Sequence, residues 1–143
     1  MFVRRLLLAL AVAAAAVALL PGCGGPITPD ELARSVETLE SAAAEGQLLA
    51  GGVARDRTKS TFVRVHARVL GDVVEHEAEK LNDADADQAD VAAAKTDAVD
   101  LAGRIDQALG QLQTAPGDEA TGRTAAEALG RLSEDAGKLA DGL

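Results

Sequence analysis

The chain predicts an all-α fold, an antiparallel four-helix bundle that follows an apolar N-terminal segment. Three observations carry this expectation. Apolar residues recur at alternating spacings of three and four in four separate stretches between residues 29 and 143, as in helices that bury one face. Short segments containing Gly, Pro or Asp separate those stretches. About 120 residues follow the leader, the size of one domain. Amphipathic helices joined by such short connections pack antiparallel to their neighbours in the chain.

The first helix is expected over roughly residues 29 to 50. Thr28 is placed to cap it, Pro29 suits the first helical position, and Glu31 completes a capping box. Leu32, Val36, Leu39 and Ala43 form its apolar stripe, and Gly51-Gly52 is expected to end it. A basic connection, Val53 to Lys59, leads to Ser60, a candidate cap for the second helix. That helix carries one stripe of Val63, Ala67, Leu70, Val74, Ala78 and Leu81. Beside it runs a second stripe of Phe62, His66, Val69, Val73 and His76. So wide an apolar face predicts contact with two neighbours.

Asn82 to Gln88 reads as an Asp-rich turn and cap. The third helix, roughly 87 to 113, holds the most regular pattern in the chain. Val91, Ala94, Ala98, Leu101, Ile105, Ala108 and Leu112 make a coiled-coil-like seam that could also pair between chains. Pro116 and Gly117 break it. The fourth helix, roughly 118 to 141, repeats the spacing with Ala125, Leu129, Leu132, Ala136, Leu139 and Leu143. Gly122, Gly130, Gly137 and Gly142 are expected to weaken it by about 1 kcal/mol each relative to Ala.

Residues 1 to 22 have a different character. Arg4 and Arg5 are followed by an unbroken apolar run from Leu6 to Leu20. That run is shorter than the ~20 residues a bilayer span requires, and its length and flanks fit a secretory signal. It ends in Leu20-Pro21-Gly22-Cys23, and Cys23 is the only cysteine. This sequence resembles the lipobox of bacterial lipoproteins. The resemblance covers about residues 1 to 25. It implies removal of residues 1 to 22 and attachment of lipid to the Cys23 sulfur. It also implies a short tether over 23 to 28 and a bundle over 29 to 143 held at the extracytoplasmic face of a cell membrane. Two or more acyl chains, at about 0.8 kcal/mol per buried methylene, would make such an anchor almost permanent. With Cys23 lipidated no thiol remains for a disulfide.

The whole chain has 14 basic and 23 acidic residues, a net charge of −9. Loss of Arg4 and Arg5 would leave 12 basic residues and a net charge of −11. Such an excess of acid argues against nucleic acid as a partner, because phosphates are bound by Lys and Arg that displace counterions. It argues equally against adhesion to anionic headgroups.

Few residues invite a chemical role. Asp83, Asp85 and Asp87 alternate as in a calcium loop, but Gln88 and Ala94 stand where that loop needs Gly and Glu. His66 and His76 are the only histidines. Ten residues along a helix separate them by about 15 Å, too far to share a metal. Each would need ligands from elsewhere, such as the carboxylates around His76. The serines lie outside any nucleophile-elbow setting. No catalytic residues and no cofactor are assigned. The remaining charge feature is basic: Arg55, Arg57, Lys59, Arg64 and Arg68 cluster around the start of the second helix. They form a candidate patch for an anion or partner. The alternative is internal pairing, as of Arg68 with Asp72.

The functional expectation is therefore a membrane-anchored lipoprotein with a non-catalytic helical domain. It would bind another envelope protein or a second copy of itself. The alternative is a metal- or small-ligand-binding bundle using His66 and His76.

Overall fold

The computed structural model describes residues 25–143, which form four helices: α1 Pro29–Ala54, α2 Ser60–Asp83, α3 Ala89–Thr114 and α4 Glu119–Asp141. They assemble as an antiparallel four-helix bundle. Successive helices reverse direction, as their contacts show. Glu45 on α1 meets His66 on α2, and Ser35 meets Lys80. On the other side of α1, Val53 and Ala54 lie against Gly122 of α4, Gln47 against Gly130, and Glu40 against Gly137. The most extensive pairings are α1 with α4 and α2 with α3. α1 and α3 also touch across the bundle, whereas α2 and α4 do not meet and occupy the far corners.

The four principal stripes face the core largely as their spacing dictates. Leu32, Val36, Leu39 and Ala43 are fully buried, as are Val63, Ala67 and Leu81. The α3 seam is buried at every position except Ala94, which is half-buried. That seam is spent inside the chain, which removes it as a surface for pairing between chains. Leu109, one residue off the seam, is also fully buried. Ile27 joins the same core, so packing begins two residues before α1. Its N–H donates to the Asp85 carbonyl at 2.7 Å, tying the entering chain to the α2–α3 loop.

Helix ends depart from expectation in instructive ways. The capping box at α1 is present: the Thr28 hydroxyl accepts from the Glu31 N–H, and the Thr28 N–H donates to Glu31 Oε2 at 2.9 Å. Gly51-Gly52, however, does not end α1. The helix runs on to Ala54, and the reversal falls to Asp56, which takes a left-handed φ of 51°, a region where Asp is enriched among non-glycine residues. Gly52 serves closure instead. Its carbonyl accepts from the Arg57 N–H at 2.9 Å, and a side chain there would run into Thr58. Ser60 is the first helical residue of α2, not its cap; Lys59 takes the cap position and makes no side-chain capping bond. At α3 the cap is Gln88, also without a side-chain bond, while Asp90 within the first turn accepts from the Val91 N–H. α4 is capped by Asp118, whose carboxylate accepts from the Thr121 N–H at 2.7 Å and its hydroxyl at 2.6 Å.

Candidate functional site

The second apolar stripe of α2 is where expectation and structure differ most. α2 touches two neighbours, α1 and α3, as its wide apolar face predicts, but the second stripe, with Val65 beside it, contributes little to those contacts and is largely uncovered. Phe62 is 56 % exposed, Val65 59 %, Val69 51 % and Val73 39 %. Leu48 on α1, 75 % exposed, is the only other large apolar side chain open to solvent among the described residues. His66 of that stripe reaches α1, where its Nε2 lies 2.6 Å from Glu45 Oε1. Its ring stacks on Phe62 with centroids 5.2 Å apart. Glu45, Leu48, Leu49, Thr58, Phe62 and His66 line an open depression of about 320 Å³ between α1 and α2. Isolated exposed apolar residues are ordinary; here four of them gather on one face of a single helix.

The stripe was legible in sequence as apolar spacing. Its exposure was not, because a two-sided helix and a helix with an unfinished outer face have the same pattern. The α2 core stripe already meets both α1 and α3, and among the described residues no fifth element covers the remaining side.

The basic residues sit around this face without converging on one point. Arg55, Arg57, Lys59, Arg64 and Arg68 are all exposed, and none has a carboxylate within ion-pair distance among the described residues. The internal pairing of Arg68 with Asp72 is absent. Arg55 turns back over Gly51 on α1. At about 100° per residue, Arg64 and Arg68 lie on the flank of α2 opposite His66, facing away from α1. α2 is electrically two-sided along its length. Arg64 and Arg68 mark its first half, just after Lys59 at the cap, and Asp72, Glu75 and Glu79 its second. Glu77 differs, pairing with Lys80 at 3.2 Å.

Other candidates acquire plain structural roles. His76 is exposed, and no group of three or more His, Cys, Asp or Glu side chains suited to a metal occurs among the described residues. In the Asp-rich loop the Asp85 carbonyl accepts from Ile27 and the Ala84 carbonyl from Lys95 Nζ at 2.7 Å. A concavity of about 700 Å³ between α3 and α4 has Gln107, Gln111, Thr114, Asp118, Thr121 and Thr124 among its lining residues. Its only carboxylate, Asp118, is held below the ordinary aspartate range by the Thr121 hydroxyl and N–H. It serves as the α4 cap, its carboxylate engaged by the Thr121 N–H and hydroxyl. Ser35, buried at 1 % exposure, accepts a hydrogen bond from Lys80 Nζ at 2.9 Å.

Cys23 lies outside the described residues. No helix among the described residues is long and apolar enough to cross a membrane. Comparison of the chain with protein-family models, with curated proteins and with solved structures found no match in any of the three.

Proposed function

We propose that the protein is a lipid-anchored, extracytoplasmic binding module. Its leader is removed, Cys23 carries the lipid, and the bundle presents the outer face of α2 to a partner in the cell envelope. Its role is interaction, without catalysis. The observation that carries the anchor is Leu20-Pro21-Gly22-Cys23 at the close of a basic-then-apolar leader. Packing of the bundle from Ile27 supports the same reading, since only a few residues would separate lipid from folded body. The uncovered stripe from Phe62 to Val73 supports the binding role.

An anchored body would also be oriented. The chain enters the bundle beside the acidic α2–α3 loop, and the basic α1–α2 loop lies at the opposite end, about 39 Å away along a 26-residue helix.

Feeding radiolabelled fatty acid to cells that make the full chain tests the anchor. The expected product carries label and begins at residue 23. An unlabelled product that still begins at Met1 overturns the reading.

A further inference from the structure

We infer that the occupant of the α2 face is a second copy of this chain, packed α2 against α2 in antiparallel register about a twofold axis near Val69. This supplies a partner for the binding role proposed above, and the lipid anchor is not needed for it.

The argument rests on self-complementarity. Phe62, Val65, Val69 and Val73 follow one another at spacings of three, four and four, a seam about three turns long. Turning a second α2 end for end about Val69 sets Val69 against itself, Val65 against Val73, and Phe62 against His76 of the other copy. The apolar stripe therefore meets an apolar stripe. The same operation acts on the charged flank. A twofold axis perpendicular to the paired helices brings like flank to like flank. Arg68 then comes within about 3 Å along the helix axis of Asp72 of the other copy, and Arg64 within about 1.5 Å of the level of Glu75. Each of these four side chains lacks an ion-pair partner within its own chain among the described residues.

Alternatives use these groups less well. Parallel pairing would bring unlike flanks together, setting the flank of Arg68 and Asp72 against the one that carries His66, so the basic and acidic halves of that flank would not meet. An acidic partner would satisfy Arg64 and Arg68 but leave Asp72, Glu75 and Glu79 facing like charge. A basic partner would do the reverse. The α3 seam cannot serve, being buried within the chain. The seam is small beside the ~1,200–2,000 Å² total of a stable interface, so pairing in dilute solution is weak. It is favoured where copies are confined at high local concentration.

Thiol crosslinking of the full chain tests this, with the wild-type protein giving the background from Cys23. In Val69→Cys the new thiols face one another across the axis, and oxidation should give a disulfide-linked homodimer. Glu127→Cys, equally exposed on α4, should give no more than background. Co-expressed Phe62→Cys and His76→Cys chains should crosslink to each other. Phe62→Cys alone should not, its two thiols being about 21 Å apart along the seam. R68E should cut the Val69→Cys dimer about tenfold, because the axis repeats each contact twice. Adding D72R in the same chain should restore it.

Three results overturn the inference: a Val69→Cys yield no greater than that of Glu127→Cys together with no Phe62–His76 crosslink, failure of D72R to rescue R68E, or capture of a different protein by Val69→Cys. Loss of the crosslinks with the lipid label retained removes the pairing alone, and the reverse removes the anchor alone.

Discussion

α4 and α2 stand at opposite corners of the bundle, and they dispose of their surfaces in opposite ways. α4 turns its small residues inward. A Cβ on Gly122 would come within 2.6 Å of the Ala54 backbone nitrogen, and one on Gly130 within 2.6 Å of the Gln47 side chain. Its outward residues include Arg123, Glu127, Arg131 and Glu134, all exposed. α2 turns valines both ways, Val63 and Val74 into the core and Val65 and Val69 into solvent. The contrast teaches that residue type alone misreports a helix. Glycines that look like weak points let α4 approach α1 closely, and an apolar stripe that looks like core lies outside.

The widest separation between the two corners comes from side-chain truncation. Leu129→Ala on α4, at a fully buried site, should cost roughly 2–5 kcal/mol of unfolding free energy in denaturant titration. Val69→Ala on α2 should cost far less in the isolated chain. Equal losses would erase the distinction. Next in size is a glycine test. Gly122→Ala should destabilise by about 1–3 kcal/mol, since the added methyl meets backbone and the Val53 side chain. Gly103→Ala on α3, with nothing within 4 Å of the new atom, should stabilise by roughly 0.5–1 kcal/mol. If both substitutions stabilised, Gly122 would be an accident of composition.

A smaller effect separates the helix starts by pH. The Thr28 N–H, and then its hydroxyl, hold Glu31 below the ordinary glutamate range, and Thr121 does the same for Asp118. A depressed carboxylate contributes its stability above the ordinary value and loses it as pH falls through the folded value. Thermal midpoints should therefore drop as pH falls below about 4. Asp118→Ala should start lower at neutral pH and fall less on acidification. α2, which has no acidic cap, contributes nothing to this slope through its own N-terminus. The smallest change is expected at Val65→Thr: within about 0.5 kcal/mol for the isolated chain, read by the same thermal scan.

Much of the architecture was visible in the chain before any coordinates. The three-four spacing located four helices and most of the core, and Thr28-Pro29-Asp30-Glu31 located a capping box that is present atom for atom. What stayed hidden depended on three dimensions. Gly51-Gly52 carries the local signal of a stop, yet the helix continues because Thr58 folds back over Gly52 and Asp56 absorbs the reversal. Leu109 is buried through the contact of α1 with α3 across the bundle, where a Cβ on Gly46 would come within 2.9 Å of Leu109 Cδ2. Ala98, Ala102, Ile105, Leu109 and Leu112 keep a four-three spacing of their own, but that spacing does not say which neighbour Leu109 meets. The basic residues were found in sequence, but their dispersal between the outer side of α1 and one flank of α2 follows from how the α1–α2 loop turns.

The bond from the Ile27 N–H to the Asp85 carbonyl has a mechanical consequence. Tension entering the chain upstream of Gly25 is made fast at two points, the start of α1 and the hairpin of α2 and α3. A pull is therefore shared between the start of α1 and the hairpin, where an untied strand would pass it to α1 alone.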